Sequence, residues 1–207
     1  MFEAANLIYI IPAIFLSMAV HEAMHAFTAH WLGDSTASDL GRITLNPLAH
    51  IDIYTTLLLP VVLILLGFPP IFAAKPVPFN PDRVKYDEFG AALVGISGPL
   101  TNLVLAAVSA LFLRVLVLPE VAFTALAVFC AINVAFFVFN MIPFPPLDGS
   151  RLLYAFAPEP MQRVMYQIES MGFTAIILFF VILVPVIGPF LSFANNGILK
   201  FLLGPVF

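Results

Sequence analysis

The sequence predicts an all-α polytopic membrane protein, and three observations carry that expectation. Of the 207 residues, 62% are hydrophobic and 10% are charged, with a mean hydropathy of +1.07. That leaves too little polar surface for a soluble domain of this length. Several apolar runs approach the roughly 20 residues a helix needs to cross hydrocarbon. The first of these runs also holds two histidines and a glutamate. Polar groups of this kind are costly there, about 2.5–3.5 kcal/mol for one charge, and by default mark function. The pattern predicts five to six transmembrane helices, a re-entrant segment and room for a short β-hairpin. All belong to one integral-membrane domain over 1–207, with its core in 7–155 and further hydrophobic segments in 156–207.

Composition also excludes some classes. A net charge of −4 with scattered basic residues argues against a nucleic-acid partner. Cys130 is the single cysteine, so neither an intrachain disulfide nor a cysteine zinc knuckle can form, and it reads as a small packing residue. Met1-Phe2-Glu3 lacks the basic start of a cleaved signal peptide, so the first segment is expected to be retained.

In chain order, the first segment runs from Leu7 to Trp31 and ends at Gly33-Asp34, with Pro12 tolerated as in other membrane helices. A polar loop follows to Asp52, marked by Gly41-Arg42, Asn46-Pro47 and His50. The second segment, Tyr54 to Phe68, contains Pro60 and is too short to cross a core of about 30 Å. Residues 71–88 hold three prolines and the basic Lys75, Arg83 and Lys85, and Lys75-Pro76-Val77-Pro78 should be extended. This is the stretch with room for a hairpin. The third segment, Phe89 to Leu116, opens with Gly90, Ala91, Ala92, Gly95, Ser97 and Gly98, residues that let helices approach closely in lipid. Pro99 withholds a donor and frees a carbonyl near Gly95. After Pro119-Glu120, the fourth segment runs uncharged from Val121 to Met141, with Asn133 and Asn140 on one face. A fifth is expected from Val164 to Val184. A sixth, from Pro189 onward, is interrupted by Asn195-Asn196-Gly197, and the sequence leaves open whether it spans or lies in the interface.

His21-Glu22-Ala23-Met24-His25 is the organising motif. On a helix, His21 and His25 share a face one turn apart and can aim at one cation, with Glu22 beside them to handle a proton. A catalytic zinc ion usually takes three protein ligands and leaves one position open. His30, His50 and a carboxylate are the candidates for the third. His30 projects from another face. Asp148 follows the fourth segment and reaches the histidines only if that segment ends on the side where the first one ends. Parity then requires the second segment to dip in and return, as its length and Pro60 independently suggest. The same side collects Arg42, Lys75, Arg83, Lys85, Arg151 and Arg163, which makes it the cytoplasmic side by the positive-inside rule, while Arg114 approaches the other.

These residues together resemble the site-2 protease family of intramembrane zinc metalloproteases. The match comprises His21 to His25, Gly98-Pro99-Leu100-Thr101-Asn102, and Asn140-Met141-Ile142-Pro143-Phe144-Pro145-Pro146-Leu147-Asp148-Gly149. The stretches from Asn46 to Asp52 and from Ala74 to Asn80 are similar to the compact bacterial and archaeal subgroup without PDZ or CBS domain. The resemblance covers roughly residues 1–155. It implies one Zn²⁺ held by His21, His25 and Asp148, with Glu22 as general base and Asn140 positioning substrate or stabilising the oxyanion. It further implies a membrane-protein substrate with a transmembrane segment and a multi-pass location in a prokaryotic cell membrane, with the site toward the cytoplasm. For Asn102 and Asn133, interhelical hydrogen bonding and a part in the site are equally open. His50 reads as a solvated loop residue or a group near the metal or substrate, the second being favoured. Three other readings compete: a divalent-metal transporter, a di-iron oxidase and a catalytically idle relative. The sparse polar residues on the far side weigh against the first, the total of four histidines against the second, and the intact Glu22 against the third.

Overall fold

Helix α1 (Leu7–Trp31) begins a chain that is helical at nearly every apolar stretch. The structure is a computed structural model describing residues 6–67 and 74–204. A loop of short turns leads to α2, a short apolar helix over Ile53–Leu65. An extended stretch then precedes α3 (Asp87–Val115) and α4 (Glu120–Asn140). Two short helices follow, α5 (Gly149–Phe156) and α6 (Glu159–Ser170), before α7 (Phe173–Leu203). Helices α1, α3, α4 and α7 are long and apolar enough to cross a membrane, which makes this an all-α membrane protein.

Four such helices differ from the five to six expected. The fifth and sixth segments are one helix: Pro189 sits inside it and Asn195-Asn196-Gly197 does not break it. Prolines are tolerated in membrane helices, and an apolar surround leaves the backbone no better partner than itself. Its start also differs. Residues from Val164 belong to α6, which carries Glu159, Gln162, Arg163, Gln167 and Glu169, and Gly172, at φ +56°, separates it from α7. No strand forms among the described residues. The hairpin expected in 71–88 begins in residues outside the described set, and from Ala74 onward the chain is extended or turned without a partner strand.

Helices α1, α3 and α4 pack pairwise, and α5 lies against α3. Glycines set the closest approaches. A Cβ on Gly95 would lie 2.8 Å from Cβ of Arg151, and one on Gly149 would run into the Met141 backbone. Arginine 114, at the far end of α3, donates to the Phe201 carbonyl at 3.1 Å. The end of α7, with Lys200, therefore sits at the end of the bundle opposite the site, a placement the sequence left undecided.

Helix α2 leaves and returns at one end. Lys75 N–H donates to the His50 carbonyl at 2.8 Å, and Thr55 Oγ1 donates to the Ala74 carbonyl at 3.1 Å. Thirteen residues at 1.5 Å each extend about 20 Å, short of a crossing. The extended 74–80 segment is pinned at both ends. At the far end Asn80 N–H donates to Asp34 Oδ2 at 2.6 Å. Burial by itself would raise the Asp34 pKa, but the Thr36 hydroxyl and the Asn80 and Thr36 N–H groups outweigh it and hold the carboxylate below its usual range. Asp52 starts α2 by accepting from the Tyr54 and Thr55 N–H groups, and those bonds likewise lower its pKa, that from Thr55 most.

Candidate active site and metal centre

One helical turn separates His21 from His25, and both are buried on the face of α1 that meets α3. Asp148 reaches them from the loop that follows α4. The distances are 3.0 Å from His21 Nε2 to Asp148 Oδ2, 3.4 Å from His25 Nε2 to the same oxygen, and 3.0 Å between the two Nε2 atoms. Among the described residues this is the one group of three such side chains able to share an ion.

The other ring nitrogens decide what those Nε2 atoms are. His21 Nδ1 lies 2.6 Å from Asn102 Oδ1, and His25 Nδ1 lies 2.7 Å from the Val94 carbonyl. Both partners only accept, so each Nδ1 carries the hydrogen and each Nε2 presents a lone pair. Two lone pairs and a carboxylate converging at this distance repel one another unless a cation lies among them. Zinc bonds of about 2.0–2.2 Å at tetrahedral angles put ligand atoms roughly 3.3–3.5 Å apart, close to what is seen. The donor set fits Zn²⁺, with both histidines oriented through their second nitrogen as metal-bound imidazoles usually are. Gly98 supplies the space. A Cβ there would lie 2.5 Å from His25 Nε2 and 2.7 Å from His21 Nε2.

Glu22 is buried beside the cluster, and its Oε2 has no hydrogen-bond partner. It lines a cavity of about 770 Å³ together with His21, His25, Asn140 and Asp148. Leu59 of α2, Phe139 of α4 and Phe173, Phe179 and Phe180 of α7 form apolar walls, while Asp52, Thr55, Arg151 and Glu169 also line it. Asn140 spends one amide hydrogen on the Phe136 carbonyl at 3.1 Å and keeps its second for the cavity. Pro76, Val77 and Phe79 of the pinned segment form another wall.

The sequence is similar to a known bacterial protein over almost the whole length of both. The chain is 33% identical over 205 residues to a protein of Bacillus subtilis (strain 168) that carries the provisional name zinc metalloprotease YwhC, covering 93% of this chain and 90% of that one. It belongs to the site-2 protease family of zinc metalloproteases. A provisional zinc metalloprotease named Rip2 from Mycolicibacterium smegmatis is 31% identical over 176 residues, 83% of this chain and 66% of its own length. Rip2 of Mycobacterium tuberculosis (strain H37Rv) is 27% identical over 179 residues, 86% of this chain and 68% of its own. No family model and no solved structure matches the chain. The names of these relatives support a metalloprotease.

Other candidate residues sit elsewhere. His30 is exposed on the outside of α1. His50 is fully buried, but in the loop: its Nε2 lies 2.9 Å from the Thr44 carbonyl and its Nδ1 3.3 Å from Arg42 Nη2. Arg42 Nη2 also donates to the Lys75 carbonyl at 2.6 Å. Both His50 nitrogens are thus taken in a clamp that holds the 74–80 segment, and none is left for metal or substrate. The sequence suggested only a topology signal for Arg151 and nothing for Glu169. They pair across α5 and α6 at the cavity wall, with the guanidinium 5.5 Å from the Phe79 ring centre. An Arg and a Glu 18 residues apart give no local signal. The carbonyl used by His25 is that of Val94, one residue before the Gly95 expected from Pro99.

Proposed function

We propose that this chain is an intramembrane zinc metalloendopeptidase that hydrolyses peptide bonds in or near transmembrane segments of membrane proteins, in regulated intramembrane proteolysis. The observation that carries the reading is the unpartnered Glu22 Oε2 beside three convergent ligand atoms, at the wall of a largely apolar cavity. His21, His25 and Asp148 would hold one Zn²⁺. When bound, zinc polarises a carbonyl and lowers the pKa of water from 15.7 to about 7.

The chain's own residues carry the proton and the charge. Glu22 takes the proton of the attacking water at Oε2 and passes it to the leaving amine nitrogen, a role worth about 10²–10⁴-fold in rate. Asn140 offers its free amide hydrogen to the scissile carbonyl oxygen as negative charge grows there. Asn102 and the Val94 carbonyl keep the histidine rings aimed.

A helical substrate hides its amides in its own hydrogen bonds, so it must open before attack. The 76–79 segment supplies a one-sided edge for the opened strand. Pro76 and Pro78 have no N–H, while Val77 and Phe79 keep theirs, alternate residues that face the same way in an extended chain. Neither has a backbone hydrogen bond among the described residues. Strand addition of the substrate along Val77 and Phe79 follows. Proline scanning of a cleaved substrate tests the unwinding step, and no change in cleavage with local helix propensity would count against it.

The cavity end of the bundle carries Arg42, Lys75, Arg83, Lys85, Arg151 and Arg163, against Arg114 and Lys200 at the other. That six-to-two bias supports a cytoplasmic-facing site in a prokaryotic cell membrane. The test of the function is cleavage of a reconstituted transmembrane substrate by wild type, Glu22→Gln and Asp148→Asn. Cleavage by wild type and loss in both variants is expected, and undiminished cleavage in either would sink the assignment.

A further inference from the structure

The two histidines are aimed in different ways. His25 is fixed directly by a backbone carbonyl, that of Val94. His21 is fixed by a side-chain amide, which can turn over and exchange its acceptor for its donor. Something must set that amide. Asn102 Nδ2 donates to Asn133 Oδ1 at 2.8 Å and lies 3.4 Å from the Ser17 carbonyl. Asn133 Nδ2 in turn donates to the Phe129 carbonyl and to Ser17 Oγ, both at 2.8 Å. Both asparagines are 0% exposed, out of reach of bulk solvent.

The direction of the chain is forced from its far end. A carbonyl only accepts, so the Phe129 oxygen draws the NH₂ of Asn133 and turns its Oδ1 toward Asn102. That oxygen draws the NH₂ of Asn102 and turns its Oδ1 toward His21. The Nδ1 of His21 must then hold the hydrogen, and its Nε2 lone pair faces Asp148 and His25. Interhelical hydrogen bonds in membrane proteins are individually weak. Stability is thus a minor return on three buried amide contacts, and orientation is the larger one.

We propose that Asn133, which touches neither metal nor substrate, is a positioning residue that locks the Asn102 amide and through it the tautomer of His21. Without the Asn133 oxygen, the Asn102 amide can turn and donate to His21 Nδ1. The hydrogen of His21 then moves to Nε2 and masks the ligand lone pair. This rests on the reading of His21 as a zinc ligand.

The test measures Zn²⁺ affinity by chelator competition in detergent-solubilised full-length protein. Asn133→Leu, of similar volume, should weaken binding about 10-fold or more, within the roughly 10–100-fold range for groups that orient metal ligands. Asn102→Asp presents an acceptor to His21 whichever way it turns, although beside an intact Asn133 its second oxygen meets the Asn133 Oδ1. The double variant Asn133→Leu/Asn102→Asp should then recover most of the lost affinity. If Asn133→Leu does not fold, Asn133→Ala with the same partner makes the comparison. Nitrogen-15 shifts of His21 in the metal-free protein should report an Nδ1–H tautomer in wild type and a mixture in the Asn133 variant. Unchanged affinity in the Asn133 variants, or weakened affinity that Asn102→Asp does not recover, overturns the proposal. Wild type that binds no zinc overturns the metal site itself, a separate outcome.

Discussion

Helices α1, α3 and α4 and helix α7 are both apolar and both long, yet they are held in different ways. Of the most apolar 18 residues, 39% are buried in α1 and in α3, 17% in α4 and 11% in α7. The three-helix unit is tied by buried polar bonds among Ser17, His21, Asn102 and Asn133 and by the bond from His25 to the Val94 carbonyl, at spacings that Gly95 and Gly98 permit. Helix α7 touches the rest mainly through apolar side chains. Phe179 and Phe180 pack on Leu59, Leu63 and Phe139, and Leu203 packs on Ala106 and Ala110. Directional bonds fix angles and registers, which a metal site needs. Non-directional apolar contact permits sliding at small cost, which suits the wall of a cavity that must admit a substrate.

If that contrast is right, the largest effects belong to the polar unit. Gly98→Ala should abolish stoichiometric zinc binding and cleavage together, since its methyl would fall within 2.7 Å of both ligand nitrogens; metal content after dialysis checks this. Glu22→Gln should keep the zinc and lose about 10²–10⁴-fold in cleavage rate, measured on a reconstituted substrate. Val77→Pro removes a backbone donor from the inner edge and should raise KM several-fold with kcat nearly kept, while Pro78→Ala, on the outer edge, should change neither much.

The smallest effects belong to the periphery. Asp34 has a lowered pKa, so its contribution is present above the ordinary carboxylate value of about 3.9 and is lost as pH falls through its lower folded value. Protection of the 74–80 segment against hydrogen exchange or proteolysis should fall in acid below that range and be less pH-dependent in Asp34→Asn. Arg151→Leu breaks a partly exposed ion pair, a kind worth about 0–1 kcal/mol. It should move the thermal midpoint by a few degrees at most while leaving zinc in place.

The same contrast explains what could be read from sequence. The boundaries of α1 were legible to the residue because Gly33-Asp34 ends a run that nothing else interrupts. The return of α2 was legible from parity, since Asp148 could meet His21 in no other way. The unity of α7 was not, because Pro189 and Asn195-Asn196-Gly197 are breakers in water and cost less in an apolar surround. Gly98 was noted as a small residue and as the start of a family motif, but its closeness to two imidazoles depends on how α1 and α3 cross. His50 was legible as a loop residue, but not that both of its nitrogens serve the loop. Asn102 and Asn133 stood at even odds because helical spacing shows the shared face and not which way an amide points.

The most direct measurement is X-ray absorption at the zinc edge on the purified protein, wild type beside Asp148→Asn. With His21, His25 and Asp148 as ligands, wild type should hold one zinc per chain bound by two imidazole nitrogens and a carboxylate oxygen, and the variant should lose it or show a changed oxygen shell. A wild-type spectrum lacking two imidazoles, or a spectrum and zinc content that Asp148→Asn leaves unchanged, would contradict it.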